Sequence, residues 1–414
     1  LTRLLKNMGL LFFVQLCGYL IPILEIPVLA RALGVQEYGK VVLIQSVALL
    51  TSLVVEYGFS LSGSRQVAIS RDDKSVLARI FGEVLSAKLL IFSIVAVLGF
   101  FIFVVKGDSF HDSNLVLMGF LYFVAFGFSP FWFFQGLERI TLIVVVEVSL
   151  RFTSLLFLYM FIHGEQDALL AFGIMSGFGL LNTIVGNVVC VCKVGKFSLS
   201  LSGGLQQIKI GFHVFVYKSS NNILMSAGPS LVGLTSGHVA VASYVPAEKI
   251  IRGFVSFVNP ILIGFYPYLN RQFQVSQVNT IRLSWMIVIG MLFSGVFAAG
   301  LIYFVGDFLI FKVLGAGFTA ASEILKVFVW VIPFRLANQA LGLCMLIPMG
   351  RDKATSFLMM LSSVISMLLA ALLSIWYGVA GVVSAFVLVE AFLFIALIIF
   401  VLGDGDKKRK MEGV

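Results

Sequence analysis

Residues 247–254 read AEKIIRGF, within the apolar segment VAVASYVPAEKIIRGFVSFVNPILIGFYPYL. Glu248, Lys249 and Arg252 thus stand where a charge is expensive: about 2.5–3.5 kcal/mol at the centre of a bilayer on insertion scales. Glu248 and Arg252 are four apart, one helical turn, and can neutralise each other. Lys249 borders the same face, and the turn has no second acid for it. A cation left over inside a membrane requires a counter-charge, which a visiting anion would supply.

The same accounting extends along the chain. The cations inside apolar segments are Lys88, Arg151, Lys218, Lys249, Arg252, Lys326 and Arg335. The acids are Glu25, Glu147, Glu248 and Glu390, with Glu56, Glu83 and Glu323 nearer segment ends. Glu147 and Arg151 are four apart, and Glu323 and Lys326 three apart, so both pairs read as local and structural, the second with a lysine free to snorkel. Lys249, Arg252, Lys218 and Arg335, all in the second half, are the expected anion ligands. Beside Lys218, the run YKSSNN places Asn221 and Asn222, and polarity of that density belongs on a cavity, not on lipid. Glu25 and Glu390 have no cation within a turn. Each is either protonated, paired across helices, or a coupling site for H+ or Na+.

Other chemistries leave no trace. The sequence contains no HExxH, GxSxG or Walker loop, and no Cys or His pair at metal spacing. No metal, cofactor or catalytic residue is expected. Cys17, Cys190, Cys192 and Cys344 all lie in or at the ends of apolar segments and read as packing residues, with Cys190 and Cys192 on different helix faces.

The elements that must carry these charges follow from composition. The 414 residues are 60% hydrophobic and 12% charged, with a mean hydropathy of +1.05. So few charges cannot cover a water-soluble surface, for which about 25% is usual. The apolar runs are long and continuous, which excludes a β-barrel and predicts an all-α membrane protein. Twelve spans are expected, near 8–30, 41–62, 80–105, 114–135, 141–162, 169–192, 210–234, 239–267, 281–305, 323–347, 355–376 and 379–402. Spans 1–6 (1–192) would form an N-lobe and spans 7–12 (210–402) a C-lobe, joined by a cytoplasmic linker at 193–209 and followed by a basic tail at 403–414. Pro22, Pro27, Pro229, Pro246, Pro260 and Pro267 are expected to bend their helices. Arg31, Lys40, Lys106 and Lys312 fall on one side and nearly all remaining loop cations on the other, which puts both termini in the cytoplasm. The net charge of +9 reflects that asymmetry and anionic lipid contact, not nucleic acid. LARALGVQEYGKVVL (29–43) and LVGLTSGHVAVASYV (231–245) each place a glycine, Gly34 and Gly237, at an apolar-to-polar break before a Tyr. This suggests two parallel repeats with substrate between them.

Four stretches resemble a known family. LARALGVQEYGKVVL resembles the R-x-L-G-x-x-x-Y-G signature of bacterial polysaccharide transporters. VVEYGFSLSGSRQVA (54–68), FWFFQGLERI (131–140) and ASYVPAEKI (242–250) are similar to their second-span ending, post-span-4 turn and span-8 opening. Within that group the likeness is strongest to O-antigen repeat-unit flippases, in a superfamily that includes multidrug extruders and the flippases of the peptidoglycan precursor. The resemblance implies two six-helix lobes around a central cationic cavity in the bacterial inner membrane. It implies movement of an undecaprenyl-diphosphate-linked oligosaccharide to the periplasmic leaflet by alternating access, coupled to an ion gradient, with a polysaccharide polymerase and chain-length machinery as partners. Lys249 and Arg252 match the basic patch of span 8, and Lys218 the polarity of span 7. Glu25 departs from relatives that carry a basic residue in span 1. The alternatives are a cation-coupled multidrug extruder of the same fold, which would want acids in its cavity, and a polymerase or ligase of lipid-linked sugars, which would want a large outer loop.

Overall fold

The computed structural model describes residues 2–105 and 112–411. Within it, the side chains of residues 2–19, 102–105, 213, 216–226, 259, 267 and 404–411 are not described. Among the described residues every regular element is helical. That is the expected answer for a chain in lipid, where backbone N–H and C=O groups must be satisfied within their own segment.

Three helices are too long for one crossing. α1 (Thr2–Glu56) has 55 residues, α9 (Gly228–Val275) 48 and α13 (Asp352–Met411) 60. At about 1.5 Å per residue each far exceeds a hydrocarbon core of about 30 Å. Each is interrupted by a glycine in a backbone state that side chains avoid: Gly34 (φ 65°, ψ 178°), Gly237 (φ 81°, ψ 176°) and Gly378 (φ 55°, ψ −134°). The predicted relation between Gly34 and Gly237 therefore reaches the dihedral level. Pro22 and Pro27 lie inside α1, which stays helical through both, and the break in this helix falls at Gly34.

The other helices are α2 (Phe59–Ile69), α3 (Lys74–Val105), α4 (Ser113–Gly127), α5 (Phe131–Gly136), α6 (Ile140–Phe161), α7 (Ala168–Val194), α8 (Leu201–Ser226), α10 (Gln277–Leu314), α11 (Thr319–Phe328) and α12 (Val331–Ala340). Among the described residues, eight helices are long and apolar enough to cross a membrane, or nine if α11 and α12, bent by 42°, make one span. The span expected at 323–347 is thus broken, and it continues past α12 as a π-helical turn, Leu341–Leu346.

The chain forms two compact units, Leu1–Ser230 and Leu231–Val414. In the first, glycines set close helix crossings. A Cβ on Gly63 of α2 would lie 2.8 Å from the Trp132 ring of α5, and one on Gly136 2.6 Å from the Ser64 carbonyl oxygen. This gives the FWFFQG and SLSGS motifs a packing role. At the α1–α2 turn the Glu56 carboxylate accepts from the Gly58 and Ser60 N–H groups at 3.2 and 2.8 Å.

The linker expected at 193–209 is shorter and more ordered than a tether. α8 already begins at Leu201, and the preceding residues lie on α3. The Ser200 N–H donates to Ser86 Oγ at 3.0 Å, and Phe197 packs edge-on to Phe81 at 5.1 Å. Gln207 exchanges amide hydrogen bonds with Gln66 at 2.8 and 3.0 Å and donates to Glu83 at 2.9 Å. α8 therefore folds with the first unit, and its backbone stays helical through YKSSNN. The helix stops at Ser226. Only Ala227 separates it from α9, which begins at Gly228 near the edge of the unit.

Candidate functional site

The AEKIIRGF stretch lies on α9, beyond the Gly237 break. Arg252 Nη2 lies 2.6 Å from Glu248 Oε1, with the Glu248 side chain 8% exposed and that of Arg252 37%. Lys249, half-buried, is also within electrostatic reach of Glu248. One acid therefore stands close to two cations on this turn. One turn earlier Tyr244, buried, stacks on Phe328 of α11 at 5.6 Å, which fixes the approach of α9 to the broken span.

Arg335 and Glu390 were expected in separate roles, and the structure brings them together. Arg335 Nη1 on α12 lies 2.5 Å from Glu390 Oε1 on α13. Asn338, three residues after Arg335, donates through Nδ2 to Glu390 Oε2 at 2.7 Å and to the Glu390 backbone oxygen at 2.9 Å. Both carboxylate oxygens are thus occupied. Asn338 is 3% exposed, and sequence reasoning missed it: a lone Asn at i+3 from an Arg carries no signal until the facing helix is known. The π-turn that follows frees backbone carbonyls, and Ser284 of α10 donates to that of Cys344 at 2.7 Å.

In the first unit, Arg151 and Glu147 form the expected i, i+4 pair at 2.8 Å. Glu25 is within electrostatic reach of Arg151 and of Tyr38 and Tyr122, both buried. Lys88 takes a different part. It is 2% exposed and donates to the carbonyl oxygens of Gly127 and Ser129, both at 3.0 Å, where α4 ends. A cation there satisfies terminal carbonyls and complements the helix dipole. Lys326 lies within electrostatic reach of Glu323, and its Nζ also lies 2.7 Å from Asp307 Oδ2 on α10, a carboxylate that accepts from Ser322 as well.

Lys218, Asn221 and Asn222 lie on α8, and their side chains fall outside the described residues. Among the described residues no group of three or more His, Cys, Asp or Glu could hold a metal ion.

The model of a family described as "Polysaccharide biosynthesis protein" matches residues 4–273. The chain belongs to that family. The chain is 24% identical over 406 residues to a protein of Escherichia coli (strain K12) named "Putative O-antigen transporter", with 96% of each chain covered. Its identity to the protein of that name from Shigella dysenteriae is 25% over 405 residues, covering 95% and 98% of the two chains. Its fold is similar to that of the lipid II flippase MurJ in an inward closed conformation, with a TM-score of 0.67 at 12% identity over 96% and 87% of the chains. It is also similar to an inward-facing multidrug resistance MATE transporter of the MOP superfamily, with a TM-score of 0.59 at 16% identity over 93% and 95%.

Proposed function

We propose that this protein is a flippase that moves undecaprenyl-diphosphate-linked O-antigen repeat units from the cytoplasmic to the periplasmic leaflet. The observation that carries the reading is the turn on α9 that places Arg252 and Lys249 side by side, both partly exposed within an apolar segment and both near Glu248. A diphosphate suits two neighbouring cations, and guanidinium and ammonium groups replace its water. Arg335 is the second ligand: an incoming phosphate competes with Glu390 for it. The sequence offers Lys218, Asn221 and Asn222 as further polar candidates for the headgroup.

In this reading the breaks at Gly34 and Gly378 each turn one long helix into two spans, and α8 with the nine residues of α9 before Gly237 makes one more, which supports twelve spans in two lobes. The lobes lie in the inner membrane with both termini cytoplasmic, and they alternate access while the polyprenyl tail stays in lipid. An H+ or Na+ gradient drives the cycle through Glu25 and Glu390, and polymerase and chain-length machinery receive the product. A multidrug extruder is disfavoured by the cation excess on α9, since its substrates are commonly cationic. A lipid-linked-sugar polymerase or ligase is disfavoured by the shortness of the loops.

The test replaces Lys249 and Arg252 by Gln, singly and together, in bacteria carrying the matching sugar pathway. Loss of surface polysaccharide, with lipid-linked intermediate stranded inside and protein level normal, is expected of the double variant. Normal polymer from that variant would remove the pair from the mechanism.

A further inference from the structure

The first unit holds a polar cluster that the diphosphate site does not use. Glu147 and Arg151 are the charged residues of α6, halfway along its 22 residues, and their side chains are 30% and 32% exposed. At mid-depth such exposure to hydrocarbon is costly, so this face meets water or a polar ligand. The Arg151 guanidinium lies over the Phe126 ring at 5.9 Å. Phe126 packs against Tyr122 with ring centroids 4.5 Å apart, and the Tyr122 hydroxyl accepts from Gln45 Nε2 at 3.1 Å. Gln45 and Tyr122 are 8% and 7% exposed. A guanidinium–carboxylate pair, a part-exposed ring and a hydrogen-bonded amide–phenol pair behind them thus form one continuous surface.

We propose that this surface is a binding site for an uncharged sugar ring of the lipid-linked substrate; the proposal rests on the flippase reading. Charge decides against a second phosphate site. Glu147 neutralises Arg151, and Glu25 is within electrostatic reach of the same guanidinium, so the cation of this surface is already met by acids. An anion gains nothing from such a surface. A sugar gains twice: its C–H face packs on the Phe126 ring, and its vicinal hydroxyls meet planar donors and acceptors whose orientation is already fixed. The buried Gln45–Tyr122 pair holds the Tyr122 and Phe126 rings in place, so these two act as positioning residues and Phe126, Glu147 and Arg151 as contact residues. The task is thereby divided, with the diphosphate held on α9 and a sugar on α4 and α6.

The test compares two lipids on the purified full-length protein in nanodiscs. One is undecaprenyl diphosphate; the other is the lipid-linked repeat unit extracted from host cells in which flipping is blocked. The wild type is expected to bind the sugar-bearing lipid about tenfold more tightly. Phe126→Leu, Gln45→Leu and the pair Glu147→Gln with Arg151→Gln are expected to bring that ratio close to one while sugar-free binding persists. Phe126→Tyr, which keeps the ring, is expected to retain the ratio. A merely structural role would weaken both lipids together. A wild-type ratio near one, or a ratio unchanged in variants of normal thermal stability, overturns the proposal. Where a variant fails to fold, Tyr122→Phe, which removes only the hydroxyl that Gln45 holds, decides the matter: a reduced ratio supports the proposal and an unchanged one overturns it. Failure of the wild type to bind either lipid would instead overturn the flippase reading.

Discussion

Arg335 and Glu390 join α12 to α13 through one ion pair of 2.5 Å, and Asn338 occupies the carboxylate oxygen that Arg335 leaves. The Glu390 side chain is 13% exposed and that of Arg335 25%. Removing one partner from such a pair leaves a charge stranded in a low-dielectric setting. Arg335→Met is expected to cost about 3–5 kcal/mol, whereas Arg335→Met with Glu390→Leu recovers most of that loss. Thermal unfolding in detergent reads both. A single variant as stable as the wild type would mean that the pair does not hold these helices.

Lys88 separates a structural cation from a functional one. Lys88→Met removes the donor to two carbonyl oxygens at the end of α4, at about 1–3 kcal/mol for each group left unsatisfied. Its melting temperature should fall clearly. Surface polysaccharide per folded molecule should stay at the wild-type level, in contrast to the Lys249 and Arg252 variants. Lost polymer from well-folded Lys88→Met would place this residue in transport instead.

The two matching breaks predict matching penalties. Gly34 and Gly237 sit at positive φ with ψ near 180°, a region essentially closed to other residues, so alanine at either should cost about 1–3 kcal/mol. A Cβ at Gly237 meets nothing within 4 Å, and one at Gly34 meets only the end of exposed Glu165, which can swing away. The two losses should therefore be similar. Gly264→Ala is the control, because Gly264 is helical and a Cβ there also meets nothing. That substitution should be neutral or stabilising. Comparable melting temperatures for all three variants would refute the strain account.

Asp73, in the turn before α3, gives an acid-side prediction. The Ser75 hydroxyl and the backbone N–H groups of Val76 and Ser75 donate to its carboxylate and hold its pKa below the usual value. A folded value depressed below the unfolded one contributes stability that is present above about pH 4 and is lost as pH falls through the folded value. Asp73→Asn should therefore show a shallower fall in melting temperature between pH 5 and pH 3 than the wild type. Parallel curves would show that this carboxylate does not contribute.

Local pairs and breaks were legible in the sequence because their spacing is local. Glu147–Arg151 and Glu248–Arg252 follow from one helical turn, and Gly34 and Gly237 from an apolar-to-polar switch. Contacts across helices were not legible. Arg335 meets Glu390 55 residues away, Lys326 turns to Asp307 across a corner, and Lys88 finds the carbonyls of another helix. Periodicity says which face a residue takes and nothing about which helix lies opposite. The packing of residues 193–209 was not legible for the same reason: Gln207 is buried against Gln66 and Glu83, which lie on other helices.

The seating of residues 197–207 on α3 has a mechanical consequence. A free tether between two bodies is an entropic spring, which yields gradually along its whole length. Here the connection is a splint, already stiffened by the Gln66–Gln207 amide pair and the Phe197–Phe81 contact. Compliance is left to the single residue Ala227, which separates the end of α8 at Ser226 from the start of α9 at Gly228. Residues 197–226 are therefore a crank rather than a leash.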